Sequence, residues 1–376
     1  MKGIRVVDMT SVLSGPFCTW ILSTLGADVI KVESPGGDTA RLSPPYEDDI
    51  SLYFASLNRN KRSMLLDLKT AEGQQALHRL IETADVFIEN MRPGVRERLG
   101  CGEAELQQIN PRLIQASISG FGQHGSLSGH PAYDIIVQAM SGMMSINGPE
   151  NSAGVRVGFS VGDIAAGLFA AVGIMERLYR RDANQEPPGE TLDVSMLACQ
   201  WACLENAFAR YLNAGILPQP LGSCHPSMTP FDVYPTADRD IVIALGSERD
   251  WPRFCEALGL PELIEDPRYK TDAARLENRA SMEQQLHAVL RTRPAEYWLQ
   301  TLLEISIPCN LIENIETIAN NPIANEYHAF SAVETRQGRE MQFVRNPIAP
   351  LDLEETAAPE LGQHTEEILA ELGLKA

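Results

Sequence analysis

The fold is decided near the start of the chain by two segments, Ile4-Arg-Val-Val-Asp-Met9 and Asp28-Val-Ile-Lys-Val-Glu33. Both are short runs rich in β-branched residues, so they predict strands over residues 4–9 and 28–33. Between them the sequence predicts a turn at Ser14-Gly15-Pro16, followed by a helix through Trp20 to about residue 25. No Gly-x-Gly-x-x-Gly follows the first strand, so the dinucleotide-binding fingerprint is absent.

The same alternation continues along the first 120 residues. A helix is predicted over residues 71–84, and strands are predicted over 85–89 and 113–119. Strands that alternate with helices in this way predict an α/β fold, in which helices cover a mostly parallel sheet.

The longest helical pattern covers residues 163–181 and carries apolar residues such as Ile164, Leu168 and Ile174 at helical spacing. A strand over 190–194 and an apolar helix over 196–212 are predicted to follow it.

Two turn-rich stretches divide the second half of the chain. Residues 218–235 and 307–310 predict linkers, and the block between them is mostly helical and charged over 250–304. A strand is predicted at 240–244. This pattern predicts a smaller domain over about 225–325, after which the chain returns to the first domain.

Composition excludes several classes of protein. The 376 residues are 44% hydrophobic, which predicts a folded chain with a sizeable core. The net charge of −19 argues against a nucleic-acid partner, because phosphate binding needs a basic surface. No apolar run approaches the roughly 20 residues of a membrane-spanning helix, and no signal-peptide pattern is present, so we expect a cytoplasmic protein without a membrane partner.

The seven cysteines and seven histidines predict neither a disulfide framework nor a metal site. The cysteine count is odd, no Cys-x-x-Cys occurs, and the histidines lack the spacing of metal ligands.

Basic residues are concentrated in two short stretches of this acidic chain. They are Arg59, Lys61, Arg62 and Lys69 in the first stretch, and Arg92, Arg96 and Arg98 in the second. Such a cluster is what a phosphate-bearing ligand would need in an acidic protein. It is equally what a solvated surface with ion pairs would contain, and composition alone leaves both interpretations open.

Asp163 follows Gly162 at the start of the long helical pattern. One interpretation is an N-cap, because an aspartate oxygen accepts hydrogen bonds from the free N–H groups of the first helical turn. The other is a nucleophilic carboxylate. In that case we expect the helix start to lower the pKa of Asp163 and keep it ionised, and Gly162 to leave it uncrowded.

The whole chain resembles the class III CoA-transferase family in a series of motifs that occur in the same order. The motifs are Gly15-Pro16, Leu25-Gly-Ala-Asp-Val-Ile-Lys-Val-Glu33, Leu57-Asn-Arg-Asn-Lys-Arg-Ser63, Asp85-Val-Phe-Ile-Glu-Asn-Met-Arg-Pro-Gly94, Pro131-Ala-Tyr-Asp-Ile-Ile-Val-Gln-Ala-Met-Ser-Gly142, Gly189-Glu-Thr-Leu-Asp-Val-Ser-Met196 and the segment from Leu361 to Leu372.

This resemblance implies a covalent mechanism in which Asp163 is the nucleophile and an aspartyl-CoA thioester is the intermediate. It implies acyl-CoA as a substrate, with succinyl-CoA or acetyl-CoA as donor and a small, dicarboxylic acid as acceptor, and no tightly bound cofactor. The residues implied as CoA contacts are Leu13, Ser14, Leu66, Asp67, Leu68, Lys69, Asn90, Met91, Arg92, Arg98, His130 and Tyr133. Lys69, Arg92 and Arg98 are the cations implied for its phosphates.

The resemblance also implies an architecture. A large Rossmann-like domain over 1–220 is expected to have a parallel sheet built from both chain ends, with 326–376 returning to it. A smaller α+β domain is expected over 225–325. Two ring-shaped subunits are expected to interlock as a homodimer.

The chain departs from the family pattern at three places. Ser11 stands where many members have Arg or His, Ser223-Cys224 stands where Gly-Asn is common, and Ser306 and Asn310 stand where glycines are common. These departures bear on which acids are exchanged.

Two alternatives remain. An α-methylacyl-CoA racemase would need a His–Asp acid–base pair, but Tyr133 occupies the position of that histidine and His130 lies three residues away. A non-catalytic acyl-CoA binding protein would have no need of Gly162-Asp163.

Overall fold

A computed structural model describes residues 1–185 and 191–375 of the chain. The chain forms two compact units: the first contains 1–144, 156–217 and 325–376, and the second contains 145–155 and 218–324. None of the helices in the described part of the chain is long and apolar enough to cross a membrane.

The strands, numbered along the chain, are β1 (Arg5–Met9), β2 (Asp28–Glu33), β3 (Tyr46–Glu47), β4 (Ile50–Ser51), β5 (Lys61–Leu65), β6 (Val86–Glu89), β7 (Ile114–Ser119), β8 (Leu192–Ser195), β9 (Phe231–Pro235), β10 (Asp240–Ala244), β11 (Cys309–Leu311), β12 (Phe330–Glu334) and β13 (Glu340–Val344).

The α-helices are α1 (Ser14–Thr24), α2 (Leu52–Asn58), α3 (Ala71–Glu82), α4 (Val95–Arg98), α5 (Glu103–Ile109), α6 (Asp134–Ser141), α7 (Met143–Ile146), α8 (Val161–Ala183), α9 (Met196–Cys203), α10 (Glu205–Ala214), α11 (Asp250–Leu258), α12 (Asp272–Glu277), α13 (Arg279–Leu290), α14 (Ala295–Glu304), α15 (Ile315–Ala319), α16 (Pro322–Glu326) and α17 (Thr365–Glu371).

The first unit is built on a six-stranded parallel sheet with the order β5-β2-β1-β6-β7-β8. Successive residues of β1 point to opposite faces, so Val6 belongs to one apolar core and Val7 to the other. Because helices cover both faces, the central strands are almost continuously apolar, as predicted for a parallel sheet. The α/β class is therefore confirmed.

The order of the sheet reverses between β1 and β6. From β1 the chain passes outward to β2 and β5, and it then returns to β6 and continues outward to β7 and β8. Loops that leave such a reversal point diverge, and ligands of open parallel sheets bind in the resulting crevice at the carboxyl ends of the strands.

Helix α8 packs closely on α1 because its buried face consists of small residues. Ala166, Gly167 and Ala170 are buried on it. A Cβ atom at Gly167 would lie 2.8 Å from the backbone oxygen of Ser14 and 2.9 Å from the ring of Phe17. The glycine at this position is what lets the two helices approach.

The second unit has an antiparallel sheet with the order β11-β10-β9. Its core combines residues of these strands with residues of α11, α13 and α14, including Tyr234, Trp251, Phe254 and Trp298. Each of these aromatic side chains is at most 3% exposed.

Several predicted elements differ from the structure for identifiable reasons. Ser14-Gly15-Pro16 forms the first turn of α1 rather than a turn before it. The helix predicted over 196–212 is two helices, α9 and α10, separated at Leu204. The linker predicted over 218–235 contains β9, which forms a hairpin with β10. The stretch 307–310 contains part of β11, whose pairing with β10 is made across a long sequence distance.

The prediction that both chain ends build the parallel sheet is wrong. All six strands lie within residues 5–195, and the C-terminal residues contribute α17, whose Ile368 packs into the core with Leu77 and Phe87. The segment after β13 therefore covers the sheet instead of extending it. The strand predicted over 190–194 is β8, and Glu190, like Gly189 of the matched motif, lies outside the described residues.

Candidate active site

The turn after β1 lies at the reversal point of the sheet and is held there by Asn90, which follows β6. The amide N–H of Ser11 donates to Asn90 Oδ1 at 2.9 Å, and Asn90 Nδ2 donates to the backbone oxygen of Ser11 at 2.8 Å. The same Nδ2 lies 3.4 Å from Ser14 Oγ. Asn90 therefore connects the carboxyl ends of β1 and β6 to the start of α1.

A cavity of about 270 Å³ opens on one side of this turn. Five of the residues predicted to contact CoA line it: Leu66, Asp67, Leu68, Lys69 and Met91. Ser11 and Asp38 also line it, together with the apolar side chains of Met9 and Val32. The cavity thus offers an apolar floor, backbone groups and hydroxyls, which suit a planar, polar-edged ring better than a lone anion.

Among residues 1–185 and 191–375, the side chains of Lys69, Arg92 and Arg98 form no ion pair, and all three are exposed. The other four cations of the two basic stretches are engaged inside the protein. Arg59 pairs with Glu355, Lys61 with Asp8, Arg62 with Asp28, and Arg96 with Gln115. The solvated-surface interpretation does not fit Arg59, Lys61 and Arg96, which are buried. Of the seven cations in the two stretches, Lys69, Arg92 and Arg98 are the ones that stay exposed and outside an ion pair.

The remaining predicted contacts lie near the same turn or on the surface. Leu13 is half-buried and immediately precedes α1, while Tyr133 immediately precedes α6 and is 78% exposed. The exposed ring of His130 packs edge-on against Phe121, with the ring centroids 6.4 Å apart. The roles assigned to these three residues stay predictions.

Asp163 is the third residue of α8, and Ser160 occupies the N-cap position. The N-cap interpretation of Asp163 is therefore wrong, because the helix begins two residues earlier than its sequence pattern indicated. Four residues after Asp163, on the same side of the helix, Gly167 packs against Ser14. Asp163 therefore lies on the side of α8 that packs against the start of α1 at Ser14.

The expected lowering of the Asp163 pKa is also wrong. Burial and then the nearby charge of Asp134 raise the pKa of Asp163 to about 7, and the hydrogen bond from Ser14 opposes this rise only in part. The reason is that a carboxylate loses more hydration free energy on burial than the helix start returns to it. At neutral pH both forms of Asp163 are populated.

Asp134 accepts a hydrogen bond from the backbone at the start of α8. Its Oδ1 accepts a hydrogen bond from the amide of Gly162 at 2.8 Å, and its Oδ2 accepts one from Gln138 Nε2 at 2.6 Å. A Cβ at position 162 would lie 2.1 Å from Gln200 Nε2. Gly162 is thus required by the packing of Gln200 behind the helix, a different reason from the open approach that the sequence suggested.

Tyr53 of α2 lies close enough to Asp163 for the charge of that carboxylate to affect its pKa, and sequence reasoning missed it. Burial raises the pKa of Tyr53, and the charges of Asp163 and Asp38 raise it too, so its hydroxyl stays protonated and can donate. Only the position of Tyr53 just before the Leu57–Ser63 motif could have drawn attention to it.

The departures in the second unit have local explanations. Ser306 has φ +59°, the left-handed conformation that a glycine, common in the family at this position, would adopt freely. Cys224 Sγ donates to Asp232 Oδ2 at 2.7 Å, and burial together with this carboxylate raises the pKa of the Cys224 thiol to about 12.

Among the described residues, Cys224, Asp232 and Glu283 form a cluster of the kind that could hold a cation. Their ligand atoms all lie within 4.8 Å of one another. The guanidinium of Arg279 already lies beside this cluster, 3.5 Å from Glu283.

Comparison with known families gives a match along nearly the whole chain. The sequence model of CoA-transferase family III matches residues 1–365.

Individual relatives agree with this match. The chain is 42% identical over 323 residues to the acetyl-CoA:oxalate CoA-transferase of Acetobacter aceti, which covers 85% of this chain and 82% of that protein. It is 35% identical to the succinate–glutarate CoA-transferase of Agrobacterium fabrum, covering 99% and 95%. The crystal structure of a CAIB/BAIF family protein from Brucella suis superposes with a TM-score of 0.86 at 31% identity, covering 99% and 98%.

We predict that the carboxyl group of Asp163 titrates near pH 7. Asp134→Asn should lower this midpoint by about one pH unit, because removing a neighbouring negative charge favours ionisation. Ser14→Ala should raise it, because a hydrogen bond to the charged form is lost. Carbon-13 NMR of the aspartate carboxyl groups measures the midpoint, with Asp163→Asn to assign the signal.

A midpoint near 4 that neither substitution moves would contradict this account of the site. The raised pKa also fixes the direction in which this group changes the free energy of unfolding with pH. The unfolded carboxyl ionises near pH 4, so its proton binds more tightly in the folded chain, and this group makes folding less favourable as the pH rises from about 4 to about 7.

Proposed function

Because this chain belongs to CoA-transferase family III, we propose that it transfers CoA through a covalent intermediate on Asp163. The protein is a class III CoA-transferase, an enzyme that moves CoA between acyl-CoAs and carboxylic acids. The observation that carries the covalent proposal is the buried carboxylate of Asp163 at the start of α8, with its raised pKa and its contact to Ser14.

The proposed reaction has four steps and consumes no net proton. A carboxylate oxygen of Asp163 attacks the thioester carbonyl of the donor, the carbon–sulfur bond breaks, and CoA thiolate leaves behind a mixed anhydride. The thiolate then attacks the aspartyl carbonyl, so the donor acid departs and an aspartyl-CoA thioester remains. The acceptor carboxylate attacks this thioester, and the released thiolate attacks the acceptor acyl carbonyl to give the new acyl-CoA and free Asp163.

The environment of Asp163 suits these steps. A carboxylate with a raised pKa is a stronger base and therefore a better nucleophile once it has lost its proton. The Ser14 hydroxyl and the N-terminal end of α8 offer positive partial charge to an oxyanion on the aspartyl carbonyl. Since Asp163 must be ionised to attack, the rate should rise with pH through about 7 and level off above it.

For the substrates, we propose succinyl-CoA or acetyl-CoA as donor and a small dicarboxylic acid as acceptor. Relatives named for oxalate and for glutarate support this choice. We expect the exchange to take place in the cytoplasm and to need no tightly bound cofactor. A matrix of the two donors with oxalate, succinate, glutarate and mesaconate, read by mass spectrometry of the acyl-CoA products, identifies the preferred pair.

We predict that Asp163→Ala and Asp163→Asn abolish transfer, with a loss of at least about 10³-fold, because each removes the covalent nucleophile. Acyl-CoA together with hydroxylamine should convert Asp163 of the wild-type enzyme to the hydroxamate, which peptide mass spectrometry detects. Asp182→Asn, which changes an exposed aspartate at the other end of α8, is the matched control and should keep full activity.

Undiminished turnover in Asp163→Ala would overturn the covalent proposal. Incorporation of solvent deuterium at the α carbon of an acyl-CoA without any acceptor acid would instead favour the racemase alternative, since only that reaction removes an α proton.

The unpaired cations supply the proposed contacts to the phosphates of CoA. Lys69 borders the cavity, and Arg92 and Arg98 lie in the segment that follows β6. We predict that Lys69→Ala, Arg92→Ala and Arg98→Ala each raise the KM for acyl-CoA about 5–20-fold with little change in kcat, because charge-assisted hydrogen bonds to phosphate contribute about 1–2 kcal/mol.

Dephospho-CoA esters, which lack the 3′-phosphate, show which of the three residues contacts that phosphate. The variant of that residue should have the same KM as the wild-type enzyme for these esters. Arg79→Ala is the control, since Arg79 is an exposed cation of the same unit that pairs with Glu82. If all three variants matched the KM of this control, the assignment of the phosphate contacts would be wrong.

We propose further that two copies of the chain form the interlocked homodimer that the family resemblance implies. Phe169, Val172 and Tyr179 of α8 and Tyr211 and Leu212 of α10 are between 48% and 73% exposed. None of the described residues of α10 is buried. An apolar surface of this extent is typical of a protein interface.

We predict a dimer in solution, because burying this apolar surface between two copies removes it from water. Leu212→Glu should shift the wild-type mass measured by light scattering towards one chain, with circular dichroism as the check of folding. Ile315→Glu places the same charge at a residue that is 88% exposed in the second unit, and it should leave the dimer intact. A wild-type protein of monomeric mass would refute the dimer.

A further inference from the structure

The turn that carries Ser14 contains a strained residue. Val12 has φ +68°, in the left-handed region. A β-branched side chain is a genuine outlier there, because its Cβ substituents crowd the backbone. A strained conformation persists only where surrounding contacts enforce it.

The contacts that enforce it come from a buried ion pair under the turn. The amide of Val12 donates to Asp38 Oδ1 at 3.1 Å, and the other carboxylate oxygen of Asp38 lies 2.9 Å from Lys31 Nζ. Lys31 Nζ in turn donates to the backbone oxygen of Thr10 at 2.7 Å. The pair therefore holds the turn at two points, on either side of Ser11.

This ion pair is enclosed by protein. The side chains of Lys31 and Asp38 are 0% and 1% exposed. Burying two charges is unfavourable, and an apolar pair of the same size would often stabilise a fold at least as well. The pair therefore contributes little to the stability of the fold. Its hydrogen bonds do fix the position of the backbone groups that it contacts.

The clamped turn leads directly to Asp163. Ser14 lies two residues after Val12, and its backbone oxygen touches α8 at Gly167, one helical turn after Asp163. A relaxed backbone at Val12 would rotate the start of α1, because residues 12 and 13 are the only links between the clamped Ser11 and the helix. The Ser14 hydroxyl would then leave Asp163.

We propose that the buried Lys31–Asp38 pair is a clamp that holds Val12 in its strained conformation, so that Ser14 stays on the nucleophilic carboxylate of Asp163. Lys31 and Asp38 are positioning residues, since they act through the turn. The inference rests on the proposed function of Asp163, and it adds the device that sets the geometry of its hydrogen-bond donor.

A double-mutant cycle tests the clamp. Asp38→Asn removes the charge that fixes Lys31 while keeping an oxygen at the same position. We expect it to lower kcat about tenfold, the scale of effect that misplacement of a catalytic contact produces. In a Val12→Gly background the same change should lower kcat less than about threefold, because glycine adopts positive φ without strain and the turn no longer needs the clamp. In a Ser14→Ala background it should have no further effect, since the group that the clamp positions is already gone.

The matched control is Glu355→Gln. Glu355 is a carboxylate that is also 1% exposed and pairs with a buried cation, Arg59, elsewhere in the same unit. Any loss it causes should be equal in the wild-type and Val12→Gly backgrounds. An Asp38→Asn loss that is equal in the two backgrounds, or a Glu355→Gln loss that depends on the background, would overturn the clamp.

Two further measurements separate this inference from the proposed function. If Asp38→Asn does not fold, Lys31→Gln tests the same clamp from its other end. If the wild-type enzyme transfers CoA between none of the tested pairs, the proposed function fails, and the clamp is then judged by the NMR titration of Asp163.

The sign of that titration distinguishes the two possible effects of Asp38→Asn. Asp134 and Tyr53 are the described ionisable groups that interact electrostatically with Asp163, and both are unchanged in the variant. Displacement of Ser14 should move the Asp163 midpoint upward, as Ser14→Ala does. A downward movement would mean that Asp38 acts only through its charge, and this would overturn the clamp.

Discussion

The site depends on two hydrogen bonds between the side-chain amide of Asn90 and the backbone of Ser11. They join the ends of β1 and β6, the two strands between which the order of the sheet reverses. Because the loops on either side of such a point diverge, a crevice opens there. The cavity lies along this crevice, and Ser14 extends the same turn to Asp163. One amide thus connects the turn that lines the cavity to the start of α1, where Ser14 packs on the helix of Asp163.

Burial decides what each charged residue of this region does. Lys61 and Asp8 are fully buried and pair at 3.1 Å, so they brace the sheet under the turn. Burial lowers the pKa of Lys61 to about 8 even though the charge of Asp8 opposes it. Lys69 and Arg98 come from the same two basic stretches but are exposed, and they retain free charges for a ligand. A single cluster in the sequence therefore has two physical roles.

Two effects of opposite sign act on the pKa of Asp163. The start of a helix favours a negative charge by about 0.3–1 kcal/mol, which is less than one pKa unit. Removing a carboxylate from water disfavours its charge by several kcal/mol. Burial therefore prevails, and the pKa of Asp163 rises to about 7. The result is a carboxylate that is more basic than an exposed one and still ionised in part at neutral pH.

The sequence by itself determined five of the six strands of the parallel sheet, the helices α1, α3 and α8, and the position of Asp163 near the start of the longest helix, because hydrophobic periodicity and β-branched runs are local properties. Its ordered motifs also identified the family. It could not show that β11 pairs with β10, since that pairing joins residues far apart in the chain. Nor could it give the pKa of Asp163 or separate Lys61 from Lys69, because the exposure of a side chain is set by residues that only the folded chain brings together. The strain at Val12 and the ion pair beneath it could not be predicted from the sequence either. Only the tertiary structure decides them, since Lys31 and Asp38 act on that turn through space.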